Sequence, residues 1–266
     1  MKIRMIQGAR MSFRRILIVF SVSLFLSGCV YLRLLAFKNQ LKDFDLHFTI
    51  ESETIFALRF LHPVLYAKDL LYLAERQPSE IIAGENGERW LYRFRKVDLR
   101  EEPSNHERGT DLVFEMTIDR QNLLEAITLS PLFLQIVPPQ FIEASLRSLG
   151  GGHIDRKNRR ISANAAKALD AGFHPPDRNK ILSELGEPLS VAAAPDTEIL
   201  IYSYRYELNL AESKKTPPLA NVNLTCDPKT GLLTFVHADF AGMKVTLNYR
   251  KMIPDENLTS ASSTSD

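Results

Sequence analysis

The chain has little cysteine, which limits how its fold can be stabilised. Among 266 residues there are two cysteines, Cys29 and Cys226. If Cys29 carries a modification, Cys226 has no partner for an intrachain disulfide. Cys226 ends the apolar, strand-like run 222–226. This context favours a small buried side chain over a reactive thiol.

The sequence also lacks the motifs of common catalytic and metal sites. It contains no G-x-S-x-G, P-loop, H-E-x-x-H or C-x-x-C pattern. His237 and Asp239 would share one strand face, but a solvated face explains them better than a metal or base pair. Residues 150–152, all glycine, follow a helical pattern, so a left-handed helix cap is favoured over a phosphate cradle. We expect neither an enzyme, nor a metal site, nor a cofactor.

Most of the chain has no excess of positive charge. Residues 1–28 hold five basic and no acidic residues, so the rest has 28 basic and 32 acidic residues and a net charge near −4. Nucleic-acid binding needs a basic surface. We therefore expect no nucleic-acid partner, and we expect Asp45, Glu51 and Glu53 to be ordinary surface charges.

The chain has no apolar run long enough to span a membrane. Its longest apolar run lies at the amino terminus. Residues 16–26 are apolar apart from two serines and follow Arg14 and Arg15. About 20 apolar residues are needed to span a bilayer. The run is therefore too short for a transmembrane helix, and its pattern is that of an export signal. Met11 is an alternative start to Met1, because it gives the more compact signal.

The four residues Leu26-Ser27-Gly28-Cys29 resemble the lipobox of bacterial lipoproteins. The small residues before the cysteine admit a peptidase, and the thiol can carry lipid. The resemblance implies that residues 1–28 are a cleaved signal peptide and that Cys29 bears a diacylglycerol and an N-acyl chain such as palmitate. Two or more acyl chains anchor a protein stably. In such proteins an Asp after the cysteine directs retention in the inner membrane, so Val30 implies the outer membrane, facing the periplasm.

The rest of the chain alternates between strand and helix patterns. We predict an α+β fold with two small helix-plus-antiparallel-sheet modules. The expected divisions are a tether at 29–42, a first module at 43–130, a connecting helix and linker at 131–167, a second module at 168–250 and a disordered tail at 251–266.

Local patterns give the individual elements. The alternation of Phe44, Leu46, Phe48 and Ile50 predicts a strand over 43–51. Proline at the first helical position is favourable, so His62-Pro63 predicts the start of a helix that runs to about residue 76. Asp177 is predicted to cap a helix, since its side chain can accept a backbone hydrogen bond.

Two stretches share one plan, which we interpret as an internal repeat. Pro78 lies 14 residues before Tyr92, and Pro188 lies 14 before Tyr202. Each tyrosine opens a similar aromatic strand, followed by a polar loop and a hairpin. The alternative is a chance likeness between two α+β segments.

The second stretch resembles the BamE (SmpA/OmlA) family of small outer-membrane lipoproteins and its beta-lactamase-inhibitor-like relatives. The resemblance covers roughly residues 168–250 and implies one helix-plus-sheet module. The sequence departs from the family pattern at two places. Residues 175–176 are prolines at the start of the helix, and residues 75–77 stand in the first stretch where the family has Leu-Gly. The fold is therefore carried over, but the family's partner, the barrel-assembly machinery, is not. The matching residues are Gly172-Phe173, Ile181, Leu185-Gly186-Glu187-Pro188, Tyr202, Tyr204 and Gly231-Leu232.

Together these patterns predict a lipid-anchored, non-catalytic cell-envelope protein that acts as a protein-interaction or scaffold module in outer-membrane assembly or maintenance. Its partners would be the membrane, through Cys29, and an unidentified envelope protein. Trp90, Tyr92, Tyr202 and Tyr204 are the candidates for partner contacts, and core packing is an equal alternative for each. The other hypothesis is a periplasmic carrier or sensor of a lipid or other apolar ligand, which would need a cavity between sheet and helices.

Overall fold

A computed structural model describes residues 30–51, 55–74, 76–97, 111–155, 160–162, 174–207, 219–240 and 243–250. Cys29, residues 1–28, residues 163–173 and the tail 251–266 lie outside the described residues. The helices are α1 (30–40), α2 (Phe44–His47), α3 (Ala67–Ala74), α4 (Pro131–Ile136), α5 (Pro139–Gly150) and α6 (Arg178–Leu185). The strands are β1 (Phe48–Glu51), β2 (Phe56–Phe60), β3 (Glu80–Gly84), β4 (Gly87–Lys96), β5 (Leu112–Asp119), β6 (Leu124–Leu129), β7 (His153–Asp155), β8 (Arg160–Ser162), β9 (Ser190–Ala194), β10 (Thr197–Tyr206), β11 (Leu219–Cys226), β12 (Leu233–Phe240) and β13 (Met243–Asn248).

One antiparallel sheet of eleven strands forms the body, which confirms the α+β prediction. Its main order is β1-β2-β6-β5-β4-β10-β11-β12-β13, with β3 beside β4 and β9 beside β10. β7 and β8 form a separate hairpin. Strands from both predicted modules therefore belong to a single sheet, because β4 and β10 pair at its centre.

The region before β2 differs from the prediction. A strand was expected over 43–51, but residues 41–47 are helical and β1 begins at Phe48. Phe44 and Phe48 are both buried and stand four positions apart, which also fits one face of a helix. Arg147 places its guanidinium 4.4 Å from the centre of the Phe44 ring and pairs with Asp45. These contacts with α5 stabilise the helical turn.

The predicted start of α3 at His62-Pro63 is wrong. Helix α3 begins at Ala67, because the chain first crosses to the residues just before β6, where Tyr66 and Leu123 form an isolated bridge. The backbone N–H of Ala67 donates to Asn122 O at 2.9 Å. Long-range pairing therefore overrides the local preference of proline for a first helical turn.

The glycines after α5 act differently from the expected left-handed cap. Gly151 closes the helix with φ −87°, an ordinary right-handed value. The constraint lies at Gly150, where a Cβ would stand 2.6 Å from the backbone of Leu41 and Lys42. Glycine is thus required by the close approach of two backbones.

Two stretches of the structure have the same order of elements. The series α3-β3-β4-β5-β6 has the same order as α6-β9-β10-β11-β12, and we call these stretches the first and second halves. The paired helices have eight residues each, and β4 and β10 have ten each. A register shift follows Thr117 in the first half and Thr225 in the second.

The halves meet symmetrically between β4 and β10. Arg95 lies opposite Arg205, so each strand presents the corresponding residue to the other. Beyond the strands, the side chain of Lys96 donates to Leu185 O at 2.7 Å, and the Tyr206 hydroxyl donates to Gln77 O. Each half thus binds a carbonyl group at or just after the end of the other half's helix.

Candidate functional site

Helix α1 connects the amino terminus to the body. Leu34, Phe37 and Leu41 follow the helical spacing of three and four residues and pack against the core. Phe37 lies 5.9 Å, ring centre to ring centre, from both Phe48 and Phe60. Residues 30–40 were expected to be a tether, but they form a helix fixed to the sheet. The apolar spacing in this segment was the signal for that helix.

An ion pair fastens α1 to α3. Arg33 donates two hydrogen bonds to the Asp69 carboxylate, at 2.6 and 2.5 Å. Asp69 is fully buried and also accepts the backbone N–H of Tyr66 at 2.9 Å. Burial opposes ionisation, but these hydrogen bonds outweigh it and lower the pKa of Asp69 below its usual range. The pair therefore stays charged and holds α1 in place.

Large apolar side chains that neighbour this ion pair along the chain remain exposed. Each lies within four positions of Arg33 or Asp69 along the chain. The centre of the Tyr66 ring lies 5.2 Å from the Arg33 guanidinium and 5.4 Å from the Lys68 ammonium. We call this set the N-terminal apolar surface. Its members, with their exposed fractions, are Tyr31 (38%), Leu32 (62%), Tyr66 (36%), Tyr72 (55%) and Leu73 (42%).

The four aromatic candidates for partner contacts are all buried. Trp90, Tyr92, Tyr202 and Tyr204 belong to the hydrophobic core, which is the alternative that the sequence left open. Trp90 Nε1 donates to Glu88 at 2.8 Å, and the Tyr202 hydroxyl donates to Gly186 O at 2.9 Å. In this conformation none of the four presents its side chain to a partner.

The remaining candidates occupy separate places. Cys226 is fully buried, and burial raises the pKa of its thiol to about 11, so it is an inert core residue at neutral pH. His237 is exposed on β12, with its Nδ1 3.1 Å from the Thr246 hydroxyl. Asp45 pairs with Arg147 and Glu51 with Arg59, as surface charges.

Two imidazoles that the sequence did not connect are in contact. His47 and His62 place their Nδ1 atoms 3.3 Å apart, and Gln40 donates to the backbone carbonyl of His62 at 2.7 Å. Fifteen positions separate the histidines, so their spacing gave no signal. In the described part of the chain no three metal-binding side chains come together.

The side chains of strands β3 and β9 are mostly exposed to solvent. All five residues of β9, Ser190–Ala194, are exposed and uncharged, and among the described residues β9 pairs only with β10. Val191 is 48% exposed, and Ile81 in β3 is 50% exposed. An uncharged edge strand with unpaired backbone groups can accept another strand.

Comparisons with protein-family models, with curated proteins and with solved structures find no match to this chain. The lipobox and the BamE resemblance therefore stay predictions from the sequence. None of the described helices is both long enough and apolar enough to cross a membrane.

Proposed function

We propose that the protein is a lipid-anchored, non-catalytic component of the cell envelope that serves as an interaction or scaffold module. The observation that carries this proposal is the run Leu26-Ser27-Gly28-Cys29 directly before α1. An anchor at Cys29 would be joined to the body through a helix that an ion pair holds in place. Val30 after the cysteine supports the outer membrane as the location.

The edge strands support a role in protein interaction. β9 carries no charge, and charges are the usual device that keeps an edge strand from pairing with another chain. An extended segment of an envelope partner could add to it by backbone hydrogen bonds, with specificity coming from its small side chains.

We also propose that the two halves are an internal repeat. Several hydrogen bonds support it at equivalent positions. The Leu124 N–H donates to Leu65 O at 2.8 Å, and the Leu233 N–H donates to Pro176 O at 2.9 Å. Likewise the hydroxyl groups of Tyr92 and Tyr202 donate to the carbonyl groups of Arg76 and Gly186.

Detergent partition of the native protein tests the anchor. Wild type should enter the detergent-rich phase and the membrane pellet, because two or more acyl chains outweigh the solubility of the body. Cys29→Ser should stay in the aqueous phase. Cys226→Ala is the matched control and should partition like wild type. A Cys29→Ser protein that partitions like wild type would overturn the proposed lipid anchor.

A charge in β9 tests the interaction role. Ala193→Lys should reduce recovery of envelope proteins cross-linked to this chain in cells, since an edge lysine opposes strand pairing. Ser183→Lys, on an exposed position of α6, is the control. Equal cross-linking by both variants would exclude β9 as the contact.

A further inference from the structure

We propose that the N-terminal apolar surface is the face of the body that rests on the bilayer. This inference builds on the proposed lipid anchor and adds an orientation to it. A lipid chain alone would leave the body free to turn. The surface formed by Tyr31, Leu32, Tyr66, Tyr72 and Leu73 would fix which side meets the membrane.

Covalent geometry places the anchor close to this surface. Cys29 precedes the first described residue of α1, and neighbouring Cα atoms are about 3.8 Å apart. From Val30 to Arg33 the helix rises about 4.5 Å, at 1.5 Å per residue. A lipid on Cys29 would therefore emerge within about 10 Å of the Arg33 Cα, and Arg33 is bound to Asp69 in α3. No further residue separates Cys29 from the first described residue of α1.

The chemistry of the surface suits the boundary between lipid headgroups and acyl chains. Tyrosine is enriched at that depth, because its ring is apolar and its hydroxyl stays hydrated. Leu32 and Leu73 can enter the acyl region, while Lys68 can reach phosphate groups through its long apolar stem. The chain after residue 28 is acidic overall, so Lys68 beside these exposed apolar groups supplies a local attraction to anionic headgroups.

The occupant we infer is the bilayer rather than a protein. The surface lies where the chain arrives from the predicted anchor, so the membrane is the partner that is present at high effective concentration. Its apolar residues lie in α1 and in or just before α3, and α6 of the second half has no exposed large apolar residue.

Depth-dependent quenching in vesicles tests the inference. The full-length gene is expressed, and the protein is reconstituted into phosphatidylethanolamine–phosphatidylglycerol vesicles that contain a lipid with a shallow nitroxide. A fluorophore is attached at Leu32→Cys or Tyr72→Cys, with Ser183→Cys on α6 as control. Strand β6 adjoins the start of α3, and β12 adjoins the start of α6. Five strand spacings of about 4.8 Å separate these two strands, so the control position lies about 24 Å from α3. Cys226 is buried and does not compete for the label.

We expect the labels at positions 32 and 72 to lose at least about half of their fluorescence, and the label at 183 less than about a tenth, because a bound surface enters the bilayer by only about 5–10 Å. Lipid-bearing protein whose labels at 32 and 72 are quenched no more than that at 183 would overturn the orientation while leaving the anchor intact. Labels shielded from aqueous iodide but not quenched by lipid would indicate a protein partner and overturn it as well. Protein without lipid that does not float with the vesicles would overturn the anchor and this inference together.

Discussion

The two halves begin their helices with different parts of the same capping arrangement. In the second half, the side chain of Asp177, just before α6, accepts the backbone N–H of Lys180 at 2.9 Å. This confirms the cap predicted at Asp177. In the first half, Asp69 stands at the position that corresponds to Lys180, and its carboxylate accepts the backbone N–H of Tyr66, just before α3. A complete capping box would use both contacts.

The difference explains how α1 is attached. A carboxylate at Asp69 lies inside the first turn of α3, where it can bind both the Tyr66 N–H and the Arg33 guanidinium. The aspartate of the second half lies outside its helix and is exposed, and its side chain caps the helix through the Lys180 N–H. The two halves therefore share one order of elements but use their aspartates differently. The first half holds the amino-terminal helix α1 through Asp69.

Removal of the Asp69 charge should abolish this difference between the halves, with the largest expected loss in the free energy of unfolding. Asp69→Asn leaves the partly buried Arg33 without its carboxylate, and loss of one partner of a buried ion pair costs about 3–5 kcal/mol. In the second half, the pair between Arg178 and Glu198 is more exposed, so Glu198→Gln should cost less than about 1 kcal/mol. Urea denaturation followed by circular dichroism measures both. Equal losses would show that the buried pair does not distinguish the halves.

The pH dependence of stability should follow the same carboxylate. The pKa of Asp69 is lowered on folding, so its contribution is fully present above the unfolded value of about 3.9. It is lost as the pH falls through the lower folded value. The difference in unfolding free energy between wild type and Asp69→Asn should therefore be constant from pH 7 to 5 and shrink below pH 4. A difference that grows on acidification would contradict the assignment.

The paired tyrosines should give a smaller contrast. The Tyr202 hydroxyl donates to Gly186 O at 2.9 Å, whereas the Tyr92 hydroxyl is 3.5 Å from Arg76 O. Tyr202→Phe leaves a carbonyl without its donor and should cost about 1–2 kcal/mol. Tyr92→Phe should cost less than about 0.5 kcal/mol, since a 3.5 Å contact is barely a hydrogen bond. Denaturation midpoints of the two variants compare them, and a larger loss for Tyr92→Phe would refute the ranking.

The smallest contrast concerns the hairpin turns. Asn122 and Gly231 occupy equivalent turns with φ 63° and 71°. Space around Gly231 is open, so only its backbone conformation resists substitution. Gly231→Ala should cost about 1–2 kcal/mol, and Gly231→Asn less, because asparagine tolerates this region better. Thermal melts should rank asparagine above alanine, and the reverse order would mean that the turns differ.

Alternating side chains predicted most of the strands, but they misled at residues 43–47, which are helical. Trp90, Tyr92 and Phe94 announce β4, but β3 and β9 have two exposed faces and no alternation, so they were missed. The Arg33–Asp69 pair spans 36 positions and leaves no local pattern. The aromatic candidates could not be separated from core residues, because burial depends on which strands become neighbours in the sheet.

Intact-mass measurement of the protein purified from its own cells tests the central claim most directly. We expect a polypeptide that begins at Cys29, with added mass equal to a diacylglycerol and one further acyl chain. The Cys29→Ser protein should carry no such addition. A wild-type mass that includes residues 1–28, or a chain that begins at an unmodified Cys29, would contradict it.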